Sequence, residues 1–256
     1  CQTARPDHIE AVQALLHTAH ERQMPVTLRG AGRSYGDASI SDRGVVIDMT
    51  QMNRILAWDP ESGVMDLEPG VTIEDVWRTS LPDGYWPAVV PGTMRPTMGV
   101  CVAMNIHGKN HFCQGPFGDH VQQLEVLTPT GQRVICSRTA HPDLFHATIG
   151  GFGALGVTTA VQLKLKQVES GFLKVSALSV PNLDALFEAF ESRIPEADYL
   201  VGWVDLFAKG KGLGRGVIHD ARYCSADEDP MGPRSLVEGQ ALPERFFGVI
   251  PPSWMW

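Results

Sequence analysis

The chain has 256 residues, 43% hydrophobic and 20% charged, an ordinary globular composition with room for one large domain or two smaller ones. Its 21 basic and 29 acidic residues leave a formal net charge of −8 at pH 7, which argues against the basic face of a nucleic-acid binder. No apolar run approaches the ~20 residues that span a bilayer. The five cysteines (Cys1, Cys101, Cys113, Cys136, Cys224) are odd in number and lack Cys-x-x-Cys spacing, so neither a zinc site nor a disulfide framework is signalled. With 26 glycines and 18 prolines, a loop-rich α+β fold is favoured over a helical bundle.

A first helix is predicted from Pro6-Asp7-His8, with Asp7 as N-cap and Ile9, Val12, Leu15, Leu16 and Ala19 at helical spacing. A strand over residues 24–28 leads into Arg29-Gly30-Ala31-Gly32-Arg33-Ser34-Tyr35-Gly36, and a second strand follows over 44–49. Glycines in a strand-to-strand loop let backbone N–H groups crowd around a bulky anion such as a pyrophosphate. The spacing, from Gly30 through Gly32 to Gly36, departs from the Rossmann fingerprint, and a strand rather than a helix follows. No Gly-Lys-Ser/Thr occurs, which disfavours a P-loop. A purely structural loop is the competing reading.

A turn over 59–63 joins strands over 54–58 and 64–67, and Thr72 with Asp75 opens a short helix. Residues 81–104 are rich in proline and glycine. A strand over 121–128 turns at Thr130-Gly131 into another over 132–137. A helical turn over 142–147, a second glycine loop over 150–156 and a strand over 157–166 follow. Beyond about residue 170 come a strand over 172–180, an amphipathic helix over 183–193, and strands over 199–207 and 217–223. The glycine-lysine segment 209–216 reads as their hairpin connection with solvated charges. This pattern predicts domains at 1–169 and 170–256, and no internal repeat is visible. Patterning already present by Pro6 and an apolar, aromatic end from Phe246 to Trp256 lead to the expectation that the chain continues beyond both ends.

The ordered set of Arg29 to Gly36, Asp48, Glu68-Pro69-Gly70-Val71, Pro91-Gly92-Thr93, Pro142-Asp143-Leu144-Phe145 and Gly150-Gly151-Phe152-Gly153 resembles the flavin-binding domain of the vanillyl-alcohol oxidase / p-cresol methylhydroxylase superfamily. The resemblance covers about Pro6 to Val168. It implies a two-subdomain FAD-binding domain followed by part of an antiparallel-sheet substrate domain, truncated in this chain. Asn105-Ile106-His107-Gly108-Lys109-Asn110-His111, then Gly115-Pro116-Phe117-Gly118-Asp119-His120-Val121, is similar to the branch that oxidises the ribose 2′-hydroxyl of a polyprenyl-phosphoryl sugar. By that resemblance Arg29, Gly30, Ala31, Gly32, Arg33, Ser34, Tyr35, Gly36 and Asp37 wrap the FAD pyrophosphate. Gly92, Thr97, Met98, Gly99, Val100, Met104 and Asn105 line the flavin path, His107 lies near the ring, and Val157 contacts the cofactor through its backbone. Arg33 stands where covalent flavoenzymes of the superfamily commonly carry histidine, which implies non-covalent FAD. Met104-Asn105 departs from the usual pair before Ile-His-Gly-Lys. The superfamily branch's catalytic lysine, and the cysteine and tyrosine near its substrate, lie in a C-terminal part this chain does not reach.

Flavin-linked alcohol oxidation needs a cofactor cradle, a group to take the hydroxyl proton, and a positive charge for a phosphorylated substrate. His107 suits the proton and Lys109 the charge. A hydrogen-bonded loop without chemistry is the alternative for Asn105 to His111. His107, His111 and His120 lack a carboxylate or cysteine partner, so no metal is expected. His8, His17, His20, His141, His146 and His219 read as surface or capping residues, and the acidic groups Glu61/Asp66/Glu68 and Asp227-Glu228-Asp229 as solvated loops. The expected function is FAD-dependent oxidation of a sugar hydroxyl, most specifically that ribose 2′-hydroxyl as the first half of an epimerisation completed by a partner reductase. The alternatives are a generic sugar, alditol, aldonolactone or 2-hydroxy-acid oxidase, and an FAD-binding protein without oxidase activity. Expected partners are small molecules or a polyprenyl-phosphate sugar, without nucleic acid or a transmembrane segment. Free thiols favour a cytoplasmic setting, with membrane-associated or periplasmic placements as alternatives.

Overall fold

The computed structural model describes residues 2–238. The apolar C-terminal stretch and Cys1 lie outside the described residues. Strand β1 (Gln2–Ala4), helix α1 (Ile9–Glu21), β2 (Val26–Arg29) and β3 (Val45–Asp48) form the first layer pair. The three strands are parallel, in the order β1-β3-β2, and α1 buries Val12 and Leu16 against Val45 and Ile47. The N-cap of α1 is His8 and not Asp7, and it makes no side-chain cap bond. The Asp7 carboxylate instead meets His8 Nδ1 at 2.6 Å.

An antiparallel sheet of five strands follows in the order β4-β5-β9-β7-β8. Its strands and neighbours are β4 (Ile55–Asp59), β5 (Val64–Leu67), α2 (Ile73–Ser80), β6 (Tyr85–Trp86), α3 (Met98–Ala103), α4 (His111–Gln114), β7 (Val121–Leu127), β8 (Arg133–Ser137), α5 (Pro142–Thr148), β9 (Val157–Lys164) and β10 (Lys166–Gln167), the last pairing with β6. Met65, Leu67, Ile73, Trp77, Leu124, Phe145 and Leu163 fill its core. The turn before β5 forms as expected: the Asp59 carboxylate accepts from Glu61 N and Ser62 Oγ, and Gly63 takes φ +65°. The α2 capping box also forms, with Asp75 N donating to Thr72 Oγ1 and Thr72 N to Asp75 Oδ2. Helix α3 forms within the proline- and glycine-rich stretch 81–104. Glu68 is not solvated either: it is 3% exposed and accepts from the main-chain N, Nε and Nη2 of Arg54.

The remaining chain forms β11 (Leu173–Val180), α6 (Leu183–Arg193), β12 (Tyr199–Val204) and β13 (Gly216–Tyr223), an antiparallel sheet in the order β11-β13-β12. Asn182 caps α6 by accepting from Ala185 N, and Leu186 and Ala189 pack on Val180, Leu200 and Ile218. Residues of opposite parity, such as Val175, Val201 and Ala221, project from the other face. Glu228, read as solvated, is bound by Arg222 and Lys174, which tie the 225–229 turn to β13 and β11.

Candidate functional site

The crossover from β2 to β3 is the glycine loop itself, and it faces α3 across an open cleft. Arg29, Gly30 and Ser34 form one wall. Thr97, Gly99, Val100 and Met104 form the opposite wall, and Val157 with Phe152 closes the end. Gly30 sets the gap between the walls. A Cβ there would sit 2.2 Å from Thr97 Oγ1 and 2.5 Å from Val100 Cγ2, so only glycine allows this approach. Gly32 and Gly36 take φ +64° and +67°, in the left-handed region. Arg29 folds the loop back by donating from Nη1 to Ser39 Oγ at 3.2 Å. Among the described residues no protein acceptor meets the N–H groups of residues 31–37. A chain of unpaired backbone donors beside a glycine-lined wall is the donor set an anionic pyrophosphate requires.

The sequence-predicted residues divide between places. Arg29, Gly30, Ser34, Thr97, Gly99, Val100, Met104 and Val157 line the cleft. Ala31, Gly32, Arg33, Tyr35, Gly36 and Asp37 form the rest of the loop outside that lining, and Tyr35 is fully exposed. Met98 is buried in the core, with its N–H bonded to the Val71 carbonyl, so the structure takes its side chain away from the cleft. Asn105, at φ +42°, accepts from Gly118 N through Oδ1 at 2.9 Å and so anchors the loop that follows. Gly92 lies in the open. His107 is exposed, its ring 5.6 Å from that of His111, and it does not line the cleft. Lys109, exposed, lines a second, open pocket between the β6 region and the three-stranded sheet. The two are therefore not brought together in the first cleft.

The loop bearing them is held from both sides. Asn110, 1% exposed, donates from Nδ2 to the Ala88 carbonyl at 2.7 Å, and Leu200 N donates to the Lys109 carbonyl at 3.0 Å. Sequence reasoning missed Ser39, Pro69, Ala103 and Thr158 as cleft residues. Pro69 sat in a motif already singled out, but the others carry no local signal. Burial pushes the Cys101 thiol well up, so it behaves as a packing group. Among the described residues no cluster of three or more His, Cys, Asp or Glu is placed to hold a metal.

A cleft of this construction, with free backbone donors on a glycine loop that ends in a strand, defines a dinucleotide-cofactor protein of a non-Rossmann kind. Residues 2–137 match the FAD binding domain, and the chain belongs to that family. It is 35% identical over 231 residues to decaprenylphosphoryl-beta-D-ribose oxidase of Mycolicibacterium smegmatis, covering 89% of this chain and 50% of that protein. It is 33% identical over 163 residues to D-lactate dehydrogenase of Anaerostipes hadrus, covering 61% and 34%. It is 33% identical over 170 residues to cytokinin dehydrogenase 2 of Oryza sativa subsp. japonica, covering 62% and 30%. The chain thus spans half the length, or less, of these curated relatives. FAD is the cofactor that the family indicates, and the Gly30 approach and the free N–H groups of the loop fit it. When bound, the flavin supplies hydride acceptance. Arg29, Gly30 and Ser34 would hold it on one side, and Thr97, Gly99, Val100 and Val157 on the other.

Proposed function

We propose that the protein is an FAD-dependent oxidoreductase that oxidises a secondary hydroxyl of a sugar. Its proposed substrate is a polyprenyl-phosphoryl ribose, taken from the 2′-hydroxyl to the keto form as the first half of an epimerisation that a partner reductase completes. One observation carries this reading. The segment leaving α3, whose Thr97, Gly99 and Val100 line the cofactor cleft, runs directly into Lys109 on the wall of the second, open pocket. A single short segment therefore joins the cofactor cleft to a second pocket. The match to the ribose oxidase extends through that second cavity's sheet, whereas the D-lactate dehydrogenase match is shorter.

In this reading the parallel and five-stranded sheets are the two subdomains of an FAD-binding domain, residues 1–169. The three-stranded sheet begins a substrate domain, residues 170–256. His107 takes the hydroxyl proton, and Lys109 supplies charge to the phosphate. FAD is bound non-covalently, since the Arg33 guanidinium offers no nucleophile for a flavin bond. Its proposed setting is the cytoplasm, with a membrane surface or the periplasm as alternatives. Among the described residues no helix is long and apolar enough to cross a membrane.

The test is anaerobic titration of the FAD-loaded full-length protein with a polyprenyl-phosphoryl ribose, an alditol and D-lactate, followed by flavin absorbance. Bleaching by the first alone supports the reading. Bleaching by D-lactate alone moves the function to 2-hydroxy-acid oxidation, and no bleaching by any donor removes the oxidase. His107→Ala should slow flavin reduction far more than it weakens FAD binding.

A further inference from the structure

Among the described residues, four other than glycine take a positive φ: Gln23, Asn105, His141 and Phe152. Gln23 and Asn105 each stand one residue past the C-cap of a helix, where left-handed backbone is common, and His141 is the N-cap of α5. Phe152, at φ +55°, ends no helix and opens none. It lies in the turn 151–154, closed by Ala154 N donating to the Gly151 carbonyl at 2.9 Å. Gly153, the other central residue, takes φ +76°. Positive φ at both central positions is the pattern of a type I′ turn, whose first central place favours Gly, Asn or Asp. A bulky aromatic residue there is strained. The turn is nonetheless pinned to the end of α3. Phe152 N donates to the Ala103 carbonyl at 3.0 Å, and Gly150 N to the Val102 carbonyl at 2.9 Å.

The side chain so placed gains little from the protein itself. It is 66% exposed, and among the described residues it stacks on no other ring. It does line the cofactor cleft, where it is the one aromatic side chain among the described lining residues. Backbone strain and an apolar face left in water are both unfavourable in the protein alone. A flat heteroaromatic ring laid on that face offsets them, by stacking and by removing the face from water.

We infer that Phe152 is a cofactor-binding residue, held in a strained turn so that its ring stacks on a ring of bound FAD, the adenine or the isoalloxazine. No sugar enters the test of this role, so its result is independent of the substrate reading.

The experiment titrates the full-length apoprotein with FAD, FMN and ADP by calorimetry and melts each apo form. Phe152→Gly removes the ring and suits the turn. It should weaken FAD by about tenfold or more. The apo variant should melt at or above the wild-type temperature, because a left-handed φ strains Phe and not Gly. Phe152→Asn, also tolerant of left-handed backbone, should lose FAD in the same way. Phe152→Tyr keeps the ring and should bind FAD within about threefold of the wild type. Between the two half-cofactors, a loss for FMN assigns the stack to the isoalloxazine and a loss for ADP to the adenine. FAD bound by Phe152→Gly and Phe152→Asn as tightly as by the wild type overturns the inference. So does an apo Phe152→Gly protein that melts well below the wild type, since the ring would then be a packing group of the fold.

Discussion

Replacing Gly30 with alanine tests the cofactor cleft at its narrowest point. The added Cβ would lie 2.2 Å from Thr97 Oγ1 and 2.5 Å from Val100 Cγ2, where carbon contacts settle near 3.5–4.0 Å. Roughly 1 Å of separation must be found. Neither neighbour can give it easily, since Thr97 is buried and both side chains are β-branched and stiff at χ1. The loop and α3 must move apart instead. Overpacking of this kind costs about 1–3 kcal/mol, or about 2–4 °C in Tm for each kcal/mol in a chain of this size. Displacing the loop also misaligns its N–H donors. Losing one or two charge-assisted hydrogen bonds, at about 1.5–3 kcal/mol each, weakens FAD by at least about tenfold. The assay is titration of apoprotein with FAD, beside thermal unfolding of the apo form. Gly36→Ala is the control: its Cβ meets nothing within 4 Å, so only the cost of its positive φ remains. A Gly30→Ala protein that binds FAD and melts like the wild type would refute the account of the cleft.

Acid precipitation of the holoprotein should release all flavin to the supernatant; colour retained in the pellet would contradict the role given to Arg33. Native alkylation followed by mass spectrometry should label exposed Cys113 well before Cys101, whose thiol burial pushes up, and equal labelling would show that the core opens. The Arg222 guanidinium, with Ser225 and Lys174 beside it, holds the Glu228 carboxyl far below the usual range. A lowered folded value means stability present above the ordinary glutamate pKa, about 4.3, and lost as pH falls from there toward the folded value. Glu228→Gln should therefore lower Tm at pH 7 and matter less at pH 3; a gap that does not change with pH would exclude this ion pair as the cause.

Local patterns in the sequence carried the elements whose cause is local. The α6 span, the α2 capping box and the Asp59 turn all rest on residues within a few positions of one another. Helix α3 was hidden because Met98-Gly99-Val100-Cys101-Val102 has weak intrinsic helix preference. Tertiary contacts impose it: Met98 N donates to the Val71 carbonyl, and Gly99 lies against Pro69. Strand β1 is three residues long and finds its partner only in β3. The buried Glu68 was misread for the same reason, since no spacing rule reports what a distant strand covers. The glycine loop was legible as a phosphate cradle, but its division into cleft wall and exposed tip was not.

The parallel sheet has its own small core, and Val157 and Leu127 from the five-stranded sheet complete it. Val157 also forms part of the cofactor cleft wall. FAD held by this cleft would therefore tie the smaller layer to the larger one through Val157. A ligand at a thousand times its Kd adds about 4.1 kcal/mol to the folded state. Cofactor supply would then set how stable the folded chain is, which thermal unfolding of the apo and FAD-loaded forms measures.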